Sequence, residues 1–373
     1  MDRLFRRADI LIPSEGTDMT RWSVIACDQH TSEKEYWEKL DSYVGDSPST
    51  LRLMLPEAYL ERDANSEAEK INRTMRDYLD SNLFRTLSES YIYLERALPS
   101  GTIRRGLVGM IDLDGYDYST GSRSPIRATE GTVEERLPPR VEIRKGALME
   151  MPHVMVFMND PQDLVFQTCR SSKGSVPVYD FELNSDGGHI TGWQMCGDSA
   201  DTIDEAFDAI TGNRNPGDVI LAIGDGNHSL ATAKKCGDRY ALVELVNIHD
   251  PAIVFEPIHR VVFGTDTADF TKKYDGSILR LKQCNESYAQ LVRDAEEICQ
   301  DYISGHGGKI DYIHNDETAL EMGSREGCFA VLLPTLDKNE LFASVAANGP
   351  YPKKSFSIGH ADEKRFYLEC RKR

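Results

Sequence analysis

The run Gly224-Asp225-Gly226-Asn227-His228-Ser229 gathers a carboxylate, an amide, an imidazole and a hydroxyl around two glycines. If a strand enters this run and a helix leaves it, the first N–H groups of the helix lack intrahelical acceptors and carry partial positive charge. Glycine lets backbone approach a ligand closely. The result is an anion or phosphate cradle, with Asp225 and His228 at its mouth as a pair for proton transfer or metal contact. The competing reading is a tight turn in which Asp225 or Asn227 only caps the helix. The spacing matches neither a Walker A loop nor G-x-G-x-x-G.

Two further segments carry chemistry. Ser124–Thr132, continuing to Pro138-Pro139-Arg140, is a stiff loop that presents Arg127 and Glu130. Arg127 could fork around a phosphate or carboxylate, or these charges could be the solvated side of a long hairpin. Ala26-Cys27-Asp28-Gln29-His30-Thr31 sits at a second strand-to-helix turn. Asp28 there could act as base or metal ligand, and Cys27 as nucleophile if its pKa were lowered; otherwise Cys27 is a packed strand-end residue. His259-Arg260 reads as structural.

These turns need elements to hold them. Asp218–Gly224 is a short apolar run of buried-strand type, and Leu230–Lys234 reads as helix. Trp22–Ala26 reads as a strand, followed by a helix signalled by the capping-box spacing of Ser32 and Glu35, with Tyr36, Trp37 and Leu40 on one face. Ala68, Ile71, Met75, Tyr78 and Leu79 place a helix over Ser66–Leu83. Tyr91–Leu98 and Leu107–Leu113 are rich in strand formers, whereas Asp114–Gly146 shows no period and reads as a long loop. His153–Met158, Leu164–Gln167 and Tyr240–Ile248 read as strands. Thr202 and Glu205 cap a helix that ends at Gly212. Further on come a helix near Asn285–Ser304 closed by Gly305, a buried strand Phe329–Leu333 and an edge strand Arg365–Cys370. Hairpin-like and β–α segments together predict an α+β, mixed-sheet architecture. A main domain over 1–264 is expected to carry the site, with a smaller C-terminal α/β lobe over 265–373.

A chain of 373 residues exceeds one compact core. Its net charge of −18 argues against a general nucleic-acid binder and against docking on anionic membranes. An anionic small molecule stays compatible, because a local cluster of Arg and backbone N–H groups overrides global charge. No apolar run approaches the ~18 residues of a membrane span. The first residues lack the apolar stretch of a secretory signal, and the eight scattered cysteines form no C-x-x-C pair. A cytoplasmic protein with reduced thiols follows, its partner a small-molecule substrate, with a homodimer among the assemblies allowed. Without H-x-H or H-E-x-x-H spacing, a metal-dependent hydrolase has little support and no metal ligand is assigned.

Ser124–Gly131 with Pro138-Pro139-Arg140, Gly224–Ala233, His259-Arg260-Val261-Val262 and Pro352-Lys353-Lys354-Ser355 together resemble an uncharacterised bacterial and archaeal family, domain of unknown function 1015. The likeness spans almost the whole chain. Ala26-Cys27-Asp28-Gln29, Tyr36-Trp37 and Ser49-Thr50-Leu51-Arg52 resemble one branch of it. The family's central turn usually reads D-G-H-H-R, similar to the turn at which members of the ParB/sulfiredoxin-like superfamily bind nucleotide phosphates. One branch of that superfamily, the archaeal free-serine kinases, phosphorylates L-serine using ADP. The resemblance implies a ParB/serine-kinase-like core, a phosphate cradle at Asp225-Gly226-Asn227-His228, and a small hydroxylated substrate. Here Asn227 replaces the usual first His and Ser229 the usual Arg, so one hydroxyl stands in for a five-donor clamp. Arg127 or Arg140 is then expected to hold phosphate, with Mg²⁺ bridging the phosphates of ADP or ATP. Asp28 or Glu130 is expected as base, with His228 stabilising charge on the transferred group. The rival reading is a non-catalytic protein that senses a nucleotide or anionic metabolite in the same pocket.

Overall fold

The computed structural model describes residues 3–132, 134–212, 215–284, 286–359 and 363–373. The chain divides into two compact units. The first combines Met1–Ala128, Thr132–Ile253 and His360–Arg373; the second combines Thr129–Gly131 and Val254–Gly359. Among the described residues no helix is long and apolar enough to cross a membrane.

The first unit is built on a mixed sheet of eleven strands, the α+β architecture expected. Its path runs Tyr179–Glu182, His189–Met195, Phe84–Ala97, Ile103–Asp112, Tyr240–Asn247, Met155–Met158, Leu221–Asp225, Ile126–Ala128 and Tyr116–Asp117. Phe5–Arg6 joins Ile103–Asp112, and Ala8–Pro13 joins Phe84–Ala97. The two-residue period of a strand divides one segment between two cores. Ile92 and Leu94 pack with Trp22, Trp37, Ile71 and Met75, while Tyr91 and Tyr93 pack on the other face with Phe5, Ile203, Phe207 and Leu230. Leu221, Ala222 and Ile223 are fully buried, which explains why their run is apolar without alternation.

Helices arise where the stripes are. Ala64–Asp80 buries Ala68, Ile71 and Met75, and Asp63 caps it by accepting from Ser66 N–H at 2.8 Å. Lys34–Val44 buries Trp37 and Leu40, but the Ser32–Glu35 box does not form, and Glu33 at the N-cap bonds His30 Nδ1 at 3.0 Å instead of capping the helix. The helix expected from Thr202 begins a turn earlier, at Asp198. Leu164–Ser172 is helix rather than strand, since Val165, Phe166 and Cys169 recur at helical spacing on the buried side. Asp114–Gly146 is not one loop. Ile126–Ala128 pairs in parallel with Leu221–Ile223, and Leu137–Lys145 is helical, its two prolines in the first turn where their missing donors cost nothing.

Of the expected strand Arg365–Cys370, only Phe366–Tyr367 pairs regularly, with Val24–Ile25; Cys370 bridges to Leu11. The second unit has a four-stranded sheet ordered Ile278–Arg280, Cys328–Leu332, His259–Phe263 and Lys309–Ile313. Its long helix, Tyr288–His306, is capped by Ser287 and ends at Gly307 with φ 73°, so Gly305 lies inside it. Asn285, where that helix was expected to begin, lies outside the described residues.

Candidate functional site

The strand Leu221–Asp225 ends in a bulge at Gly224, where a Cβ would meet the Phe157 ring at 2.5 Å. Gly226 then turns the chain at φ 81°, ψ 26° and starts the helix Asn227–Lys235. A Cβ on Gly226 would lie 3.0 Å from Val154 Cα and 3.3 Å from the His153 ring, so both conformation and space require glycine. Among the described residues no side chain caps this helix. Its N-terminus carries the positive end of the helix dipole. Asn227 Oδ1 is buried without a hydrogen-bond partner among the described residues, an acceptor suited to a ligand hydroxyl.

Asp225 accepts from the Gly226 N–H at 2.9 Å and from Lys364 Nζ at 3.1 Å. Burial pushes its carboxyl up, but the Lys364 ammonium, then His153 and the Gly226 N–H, outweigh that and hold it below the usual carboxylate range. Lys364 is itself fixed through its backbone. Arg96 donates to the carbonyls of Lys364 at 2.6 Å and Glu363 at 3.2 Å, and Arg104 donates to Glu363 O at 2.6 Å. The next residue, Arg365, pairs with Glu244 at 3.0 Å and with Glu369, whose carboxylate also accepts from Tyr179 at 2.6 Å. Asp225 and Glu244 both stand in register with Met155, one on each side, so they share a row and a face of the sheet. Consecutive basic residues thus meet two carboxylates of one row.

The Cys27–Asp28 turn belongs to the same cluster. His153 Nε2 lies 3.8 Å from Asp28 Oδ2, and its Nδ1 lies 2.7 Å from the hydroxyl of Tyr367. That hydroxyl is also 3.1 Å from Cys27 Sγ. Gln29 donates to Asp28 at 3.1 Å. Arg140 pairs with Glu57, whose N–H donates to Cys27 O at 2.8 Å. Burial first, then the charges of Asp28 and Glu57, push the Cys27 thiol well up, so it is not the activated nucleophile one reading allowed.

Of the residues singled out from sequence, Asp225, Gly226, Asn227, His228 and Ser229 form the turn, and the fold adds Asp28 and Arg140 to its surroundings. Arg127 is not brought there. Its Nε donates to Ser124 O at 2.7 Å and its terminal nitrogen to Gly217 O at 2.5 Å, both at the entry ends of the parallel strands whose exit carries Asp225. Glu130 belongs to the second unit, where it accepts from Ser355 N–H at 3.4 Å and pairs with Tyr351. His259 is a satisfied structural residue, bonded to Asp316 at 2.8 Å and accepting from Leu333 N–H at 3.1 Å. Sequence reasoning missed His153, Lys364 and Tyr367. Only His153 carried a signal, standing at the start of an apolar run.

Among the described residues no group of three or more His, Cys, Asp and Glu is placed to hold a metal ion. The family described as "Protein of unknown function (DUF1015)" matches residues 11–372. No curated protein matches the sequence. Similar solved structures include a free serine kinase in complex with AMP, 12% identical, with a TM-score of 0.36 over 68% of this chain and 91% of that one. A conserved hypothetical protein from Pyrococcus furiosus is 11% identical, with a TM-score of 0.30 over 69% and 90%. SbnI from Staphylococcus aureus, truncated at its C-terminus, is 10% identical, with a TM-score of 0.34 over 68% and 82%.

Proposed function

The chain belongs to the DUF1015 family, and from that premise we propose that the first unit transfers a phosphoryl group from a nucleotide to a small hydroxylated molecule. The observation that carries this reading is the pairing of Lys364 with Asp225 just ahead of a helix that no side chain caps among the described residues. Ser229 leaves the turn without the arginine usual in the family, and Lys364 returns a cation to it from elsewhere in the chain. Arg140, beside the Cys27–Asp28 turn, is the second cation.

The residues present fit nucleotide phosphates. The N–H groups opening Asn227–Lys235 and the Ser229 hydroxyl donate to phosphate oxygens, as helix N-termini do, while His228 stabilises charge on the transferred group. The buried Asn227 Oδ1 accepts from a hydroxyl of nucleotide or substrate. Asp28 takes the hydroxyl proton of the acceptor. Mg²⁺, which keeps water and phosphate oxygens as ligands, would neutralise phosphate charge without a dedicated protein cage. The turn's likeness to the ParB/sulfiredoxin-like turn supports the same ligand class.

Calorimetric titration with ADP, ATP and AMP, with and without Mg²⁺, tests this directly. Binding of ADP or ATP that strengthens with Mg²⁺ is expected, and no binding at millimolar nucleotide overturns the proposal. Asp28→Asn then separates an enzyme from a sensor. In an enzyme it lowers turnover by roughly 10²–10⁴-fold while sparing affinity.

A further inference from the structure

The hydroxyl of Tyr367 stands between two acceptors, 2.7 Å from His153 Nδ1 and 3.1 Å from Cys27 Sγ, and the Cys27 N–H points at the same oxygen from 3.5 Å. Tyr367 and His153 are both buried, with ring planes at 83° and centroids 5.3 Å apart, so neither ring is free to swing. Burial, then the neighbouring Cys27 and Asp28, keep the phenol protonated. It has one proton to give. An imidazole nitrogen accepts better than sulfur and is also nearer, so the proton goes to Nδ1. A neutral imidazole that accepts at Nδ1 carries its hydrogen at Nε2, the nitrogen facing Asp28.

If Nδ1 becomes protonated, it donates to the Tyr367 oxygen, and the phenol turns its own proton to Cys27 Sγ. No heavy atom has to move. In both charge states Nε2 keeps its hydrogen.

We propose that Tyr367 is a positioning residue that fixes His153 with hydrogen on Nε2, so that His153 presents a donor, never an acceptor, to Asp28 and to an oxyanion held at the Asp225–Ser229 turn. His153 is thereby excluded as general base, which leaves the proton of a substrate hydroxyl to a carboxylate. The inference rests on the proposed function for the role of Asp28, but the tautomer stands independently of it. Asp28 Oδ2 faces Nε2 at 3.8 Å. A carboxylate there favours a donor, whereas a bare Nε2 lone pair would be repelled.

The test is long-range ¹H–¹⁵N NMR of histidine-labelled protein above the ordinary imidazole pKa, with the His153 signals identified by their loss in His153→Gln. A protonated Nε2 and an unprotonated Nδ1 are expected in the wild type, and a mixture of both tautomers in Tyr367→Phe. Hydrogen on Nδ1 in the wild type, or an unchanged tautomer in Tyr367→Phe, overturns the inference. If Tyr367→Phe fails to fold, the wild-type spectrum alone decides. ADP added to the same sample keeps the two readings apart. An Nε2–H tautomer without ADP binding removes the phosphotransfer proposal and supports the tautomer, while ADP binding with hydrogen on Nδ1 overturns only the tautomer.

Discussion

Lys364 Nζ lies 3.1 Å from Asp225 Oδ2, although Val254–Gly359 of the second unit intervenes between them in sequence. This pair sets the charge of the turn. A folded pKa held below its unfolded value stabilises the protein above the ordinary carboxylate range, and that contribution is lost as pH falls through the depressed pKa. Lys364→Met removes the main opponent of burial. The Asp225 titration should move upward, and stability at pH 7 should fall by about 1.5–3 kcal/mol. The difference from wild type should shrink at a second, lower pH beneath the depressed wild-type pKa, where the carboxyl is protonated in both. Carboxyl ¹³C titration and urea unfolding at both pH values check this; an Asp225 titration that stays in place contradicts it.

Gly226→Ala should cost about 1–3 kcal/mol, because alanine at φ 81° is strained and its Cβ meets the backbone of Val154, which cannot yield. ADP binding should weaken in the same variant, since the helix N-terminus shifts with the turn. Thermal unfolding and calorimetry measure the two effects separately. A variant as stable as wild type would show that the turn tolerates other conformations.

Arg127 and Arg140 should behave oppositely. Arg127→Met leaves the carbonyls of Ser124 and Gly217 without their donor and should reduce stability by about 1–3 kcal/mol with ADP affinity unchanged. Arg140→Met should weaken ADP binding about tenfold, equivalent to ~1.4 kcal/mol. Reversed outcomes would return Arg127 to the phosphate and make Arg140 a partner of Glu57 alone.

Cys27 should resist thiol reagents at pH 8, because its surroundings and the nearby carboxylates disfavour the thiolate. Cys196 and Cys284 are exposed and should react first. Peptide mapping after timed alkylation gives the order. Early modification of Cys27 would mean that the packing around Tyr367 is looser than described.

The turn itself was legible because its physics is local: a buried apolar run, two glycines and a helical stripe all lie within one short segment. The helix at Ala64–Asp80 was legible for the same reason. The capping box at Ser32 was not, since tertiary packing of Trp37 and Leu40 sets where that helix begins. Leu164–Ser172 was misread because a short apolar run cannot by itself distinguish strand from helix. Lys364 and Tyr367 were invisible, because a lysine and a tyrosine in a polar tail carry no sign of the sheet face they cover. Their placement depends on Arg96, Arg104 and Glu244, whose buried charges come together only in the fold.

The pairing of Phe366–Tyr367 with Val24–Ile25 has a consequence for synthesis. A ribosome delivers the chain from its N-terminus, so Cys27 and Asp28 emerge long before Tyr367 has been made. Until then Val24–Ile25 lacks its partner strand, and the Trp22 ring N–H lacks the Leu368 carbonyl that receives it at 2.8 Å. The nascent first unit therefore waits with an open strand edge while residues 254–359 are translated. An unpaired edge is a template for joining other chains. A translational pause within that interval would hold the edge open longest and make this protein most dependent on chaperones there.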